Sequence, residues 1–94
     1  MIIKVIIPAL NEEEALPKVL RDIPEIVDEV IVIDNNSSDN TFDVAETNGA
    51  TVLKQPLPGY GNACLKGLEY IKQKKVDIIV FLDADYADDP KELP

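Results

Sequence analysis

The sequence has no histidine, no tryptophan, one cysteine and only 5% aromatic residues. Without histidine there is no imidazole base and no His-ligated zinc. A single cysteine, Cys64, forbids an internal disulfide and fits a reducing, cytoplasmic setting. Cations are also scarce: 9 Lys and Arg stand against 18 Asp and Glu, for a formal net charge of −9. Such a balance disfavours nucleic acid and anionic membrane surfaces as partners. It still admits a phosphate-bearing ligand if a divalent metal supplies the positive charge. No apolar run approaches the ~20 residues of a membrane span. The N-terminus shows neither the basic region nor the small-residue cleavage site of a signal peptide.

What is present is a chain of 94 residues, enough for one small domain. "MIIKVIIPAL" is β-branched and apolar almost throughout, as a strand buried on both faces should be, with Pro8 as its expected stop. Leu16, Val19, Leu20 and Ile23 follow at helical spacing, and the helix should begin near Ala15, with Pro17 in its first turn and Asn11 or a nearby acid as cap. "DEVIVID" gives a second strand over 29–34. After the polar loop "NNSSDNT", a short helix is expected from Asn40, ended by Gly49. "TVLKQ" reads as an edge strand and "NACLKGLEYIKQKK" as a third helix burying Cys64, Leu68 and Ile71. "DIIVFLD" is the fourth strand.

The order βαβαβαβ predicts an α/β fold: a parallel sheet of four strands between helical layers, α/β/α. Ligands of such sheets bind at the carboxyl ends of the strands. "PALNE", "DNNSSDN" and "DADYADD" should therefore meet there. Asp83 and Asp85 stand two apart, immediately after an apolar strand. Carboxylates at that spacing suit Mg2+ or Mn2+, which would relieve their mutual repulsion. A short Asp-x-Asp also fits a solvated, helix-capping loop; its place directly after an apolar strand favours the metal here. Asp34 can accept from a base or ribose, or form a turn. Asn11 and Glu12 can cap a helix or face a ligand. "GYGNA" can offer backbone N–H groups to an anion or be a tight turn. Lys54 and Lys66 read as solvated surface cations.

"VIIPALNEEEALPKVL", "VIVIDNNSSDNT", "GYGNACLKGL" and "VFLDADYADDP", in that order, resemble the N-terminal half of a family 2 glycosyltransferase with the GT-A fold. The likeness points to the branch of dolichyl- or polyprenyl-phosphate sugar synthases. It implies transfer of a sugar from a nucleoside diphosphate donor, with Mg2+ or Mn2+ on the diphosphate and a polyprenyl phosphate as acceptor. It also implies nucleotide-binding roles for Pro8, Leu10, Asn11, Glu12 and Asp34, with Gly59, Gly61 and Asn62 lining the donor pocket. Asp83 and Asp85 would hold the metal, Asp83 also meeting the nucleotide.

Two departures from the family pattern stand out. Ala87 occupies a position where the mannose synthases carry a metal-binding glutamine; water or Asp88 would have to substitute. The chain is also shorter than a family catalytic domain. Residues 1–94 are expected to be a single nucleotide-sugar-binding unit, part of a longer enzyme, inactive alone and prone to self-associate. The parent is expected in the cytoplasm, at the inner membrane face if its other parts attach it there. The rival readings are a non-catalytic nucleotide-binding or assembly module and, more weakly, a phosphoacceptor receiver domain. The receiver is disfavoured because "PALNEEE" replaces its acidic pair and no fifth strand exists.

Overall fold

Four parallel strands lie in the order β3-β2-β1-β4. They are β1 (Ile3–Ala9), β2 (Glu29–Asp34), β3 (Thr51–Lys54) and β4 (Ile78–Phe81), joined by α1 (Leu16–Arg21), α2 (Thr41–Thr47) and α3 (Tyr60–Ile71). This is a computed structural model, and it describes residues 1–84. Asp85, Ala87 and Asp88 therefore lie outside the described residues. The expected βαβαβαβ order and parallel sheet are observed, with β3 at an edge.

The first two crossovers step the chain from β1 to β2 to β3. The third returns past β1 to reach β4. Right-handed crossovers then require α3 on the opposite face from α1 and α2. The side chains obey this. Val5, Ile7, Ala9 and Val32 pack with Leu16, Val19 and Ala45. Ile6, Ile31 and Ile33 pack with Ala63 and Ile71. Strand alternation thus sorts odd and even residues of each strand into two apolar layers.

Pro8 does not stop β1, which continues to Ala9. Successive residues of β1 bond to alternate neighbours. Ile6 O accepts from Leu82 N on the β4 side, and Ala9 O accepts from Asn35 N on the β2 side. Pro8 thus points its missing N–H toward β4, beyond the last β1–β4 pair at Ile6 and Phe81. No ladder bond is lost there.

Two further expectations need correction. Asn11 does not cap α1; the preceding turn closes through Leu16 N to Glu12 O at 3.0 Å. The third helix starts at Tyr60 and buries Ala63, Gly67 and Ile71, whereas Cys64 is only half-buried and Leu68 is exposed. Gly67 has no side chain, so the helix backbone settles onto β1 along its small residues. An apolar count favours Leu68 and misses this. Gly49 ends α2 with φ of +85°, as expected.

Candidate functional site

Strand order reverses between β1 and β4, so the carboxyl edge beside β1 is the switch point where such sheets bind ligands. Three loops gather on this edge. The β1–α1 and β2–α2 loops are laced together. Asn11 N donates to Ser37 Oγ at 2.9 Å, and Ser38 N donates to Asn11 Oδ1 at 2.8 Å. Glu12 N donates to Thr41 Oγ1 at 2.9 Å, and Glu13 N to Asp39 Oδ2 at 3.2 Å. Asn11 holds φ of +54° to make its contacts, a conformation asparagine tolerates better than most residues. Burial alone would push the Asp39 carboxyl up, but hydrogen bonds from the Thr41 hydroxyl, Thr41 N and Glu13 N hold it below its ordinary value.

Asn35 joins the third loop to these two. It is buried, with 8% exposure. Its Nδ2 donates to Gln55 O at 2.8 Å and to Leu57 O at 2.7 Å, while its Oδ1 accepts from Gly59 N at 3.1 Å. In the sequence Asn35 is one of several turn-forming residues in "NNSSDNT". The signal that could have singled it out is alternation: Ile31 and Ile33 face α3, and residue 35 continues that row.

The anticipated site residues divide among neighbouring hollows. Pro8, Leu10 and Gly59 line a slot of about 240 Å³ with Ala9, Asn35 and Tyr60. Asp34 lines a smaller hollow of about 160 Å³ with Asn36, Ser37, Lys54, Gln55 and Pro56. Asn11 and Glu12 line an acidic hollow of about 400 Å³ with Glu13, Glu14, Ala15 and Asp39. Asp34 is 5% exposed, and its Oδ1 accepts from Ser37 N at 3.0 Å, so it serves as a turn former. Gly59 has φ of +112°, and its N–H is spent on Asn35, so that group is not free for an anion. Gly61 lies in the exposed first turn of α3. Lys54 sets its ammonium 5.0 Å from the Phe42 ring centre.

Asp83 leaves β4 on this same edge. Leu82 N donates to Ile6 O at 3.1 Å, so Asp83 follows directly beside the end of β1. It is half-buried. Among the described residues no three His, Cys, Asp or Glu side chains stand together as a metal cage.

A parallel α/β sheet with polar loops gathered at its switch point belongs to the class of open, doubly wound α/β folds, whose ligands bind at that edge. The comparisons narrow that class. Residues 4–94 match the family described as Glycosyl transferase family 2, and the chain belongs to that family. An uncharacterized glycosyltransferase of Mycobacterium tuberculosis is 42% identical over 92 residues, covering 98% of this chain and 40% of the relative. An undecaprenyl-phosphate mannosyltransferase of Micrococcus luteus is 34% identical over 97 residues, covering 95% of this chain and 40% of that protein. Among solved structures, glucosyl-3-phosphoglycerate synthase of M. tuberculosis, in complex with Mn2+, UDP and glucosyl-3-phosphoglycerate, superposes with a TM-score of 0.77 at 35% identity. That match covers 88% of this chain and 33% of the synthase. The fold is the expected portion of GT-A. The chain spans about two-fifths of the length of these curated relatives.

Proposed function

We propose that this chain is the donor-binding part of an enzyme that moves a sugar from a nucleoside diphosphate to an acceptor. The observation that carries this reading is the slot between Pro8, Leu10 and Gly59, beside the point where Asp83 leaves β4. Support comes from the solved relative of the same fold that holds UDP and Mn2+.

In this reading the slot takes the base, and Asp34, from the adjoining hollow, bonds to the base or ribose. Asn11, Glu12 and Gly61 complete the surroundings of the donor. The chemistry of the Asp83 carboxylate suits a hard divalent cation, Mg2+ or Mn2+. With no three-ligand cage among the described residues, such an ion would need Asp83, Asp85 and the donor's own phosphate oxygens as ligands. When bound, it would stabilise the departing diphosphate. Residues 1–94 then form one donor-binding unit.

A phosphate-bearing acceptor is the finer part of the proposal. Two relatives bear on it: the M. luteus enzyme is named for undecaprenyl phosphate, and the synthase is also solved in complex with phosphoglyceric acid. Cytoplasmic placement remains part of the proposal; no helix among the described residues is long and apolar enough to cross a membrane. Self-association is proposed too, supported by exposed Leu65, Leu68 and Phe81 near edge strand β4. Sedimentation as a monodisperse monomer would end that part.

The test of the main reading is calorimetry of UDP-, GDP- and CDP-sugars with and without Mn2+, repeated on Asp85→Ala. We expect one nucleotide class to bind in a metal-dependent way, and the variant to lose that dependence. Binding indifferent to both metal and mutation would remove the site assignment.

A further inference from the structure

We infer that Asn35 is a positioning residue: it sets the conformation of the β3–α3 loop, and so one wall of the slot. The inference rests on the donor-pocket reading for its ligand, but its account of the loop stands on geometry alone. A primary amide has two N–H donors and a carbonyl acceptor. In Asn35 both donors go to the carbonyls of Gln55 and Leu57, and the acceptor takes the N–H of Gly59. All three functions are spent on the backbone of one five-residue segment. Both amide donors are thereby engaged, and only the second lone pair of Oδ1 remains open.

The main chain of Asn35 is fixed as well, its N–H donating to Ala9 O at 2.8 Å. Asn35 thus ties the end of β1, through its main chain, to a segment that carries two prolines, Pro56 and Pro58, and no regular structure of its own. Gly59 sits at φ +112° and ψ +143°, a conformation open essentially to glycine. A loop held this way is organised before any ligand arrives. If it were loose, the competent form would be a fraction of the population, and apparent affinity would fall by that fraction.

Asn35→Asp tests this. It keeps the acceptor for Gly59 N–H but turns a carboxylate oxygen toward two carbonyls. Amide hydrogen exchange at Gly59 and Leu57 reads the loop, exchange at Ile6 and Val32 reads the core, and calorimetry with UDP and Mn2+ reads the slot. We expect faster exchange at Gly59 and Leu57 alone, tenfold or more weaker UDP binding, and recovery of Gly59 protection at saturating UDP. A purely structural role would not show that ligand-dependent recovery.

Should Asn35→Asp fail to fold, Gln55→Ala loosens the same loop by removing the acceptor for Leu57 N and the donor to Asn62 O. Gln55 lines the Asp34 hollow, so amide exchange at Gly59 and its recovery with UDP, not UDP affinity, are the readout for this variant, and the same exchange pattern is expected. Unchanged exchange at Gly59 or, in Asn35→Asp, lost protection with unchanged UDP affinity overturns the inference. Absence of UDP binding by the unaltered chain overturns the donor-pocket reading instead, and Gly59 exchange in the variant then decides alone whether Asn35 sets the loop.

Discussion

Gly67 of α3 lies so close to β1 that a Cβ added to it would stand 2.8 Å from Ile6 Cγ2 and 3.0 Å from Ile6 Cδ1. The contact sets the distance between helix and sheet. On an exposed helix, Gly→Ala would gain about 1 kcal/mol from propensity. Here the overlap reverses the sign. Gly67→Ala should destabilise the fold by about 1–3 kcal/mol, as overpacked cores do. Urea unfolding checks this. Combining it with Ile6→Ala, which removes the crowding atoms, should cost less than the two single changes added together.

Glu29 links three strands and a helix. Its Oε1 takes Lys4 Nζ at 2.9 Å, and its Oε2 takes Thr51 Oγ1 and Tyr70 OH, both at 2.8 Å. Burial alone would raise the Glu29 carboxyl, but these hydrogen bonds and the Lys4 charge hold it below its ordinary 4.5. A lowered carboxyl contributes stability that is fully present above pH 4.5 and lost as pH falls through the folded value. Tyr70 is raised above its ordinary 10.0, by its bond to Glu29 first and by burial second. Its contribution is present below pH 10.0 and fades as pH rises through the folded value. Glu29→Gln should therefore cost about 2 kcal/mol near neutrality, since it leaves the Lys4 charge poorly compensated. The deficit should shrink in acid. The deficit of Tyr70→Phe should shrink in strong alkali. Unfolding curves across pH read both.

Asn11 separates backbone strain from hydrogen bonding. Its φ of +54° favours glycine, while its side chain accepts from Ser38 N. Asn11→Gly loses only the acceptor, whereas Asn11→Ala also meets the left-handed penalty of about 1–2 kcal/mol. Asn11→Ala should be the less stable of the two by roughly that amount in thermal unfolding.

The fold was legible because β1 and β2 are apolar enough to be buried on both faces and the helical spacings between strands are clear. Leu16 and Val19 fell where the spacing placed them. The boundary at Pro8 was misread because a proline's cost depends on which neighbour its N–H would meet, and that is settled only by the β1–β4 ladder. The face of α3 was misread because close approach rewards Gly67, which has no side chain to count. At the carboxyl edge, the sequence could gather the three loops but not divide them. Whether Asp34 and Pro8 open into one hollow or two depends on the Asn35 amide, whose bonds reach residues 20 to 24 positions away.

The sharpest prediction concerns charge at the end of β4. Asp83 emerges in a chain of net charge −9, and the acidic hollow lined by Glu12, Glu13, Glu14 and Asp39 lies on the same edge. A diphosphate entering there without a divalent cation meets a field dominated by carboxylates; one that shares a divalent ion with Asp83 is attracted. The gain from metal should therefore depend on the diphosphate and not on the base. Calorimetry should show Mn2+ tightening UDP tenfold or more while leaving uridine unchanged, and EDTA should reverse the gain. Asp83→Asn keeps the shape but weakens the ligand. It should remove most of the Mn2+ effect on UDP, with the melting temperature held within a few degrees. If Mn2+ tightens uridine as much as UDP, the ion sits elsewhere and the carboxylate at residue 83 is an ordinary strand end.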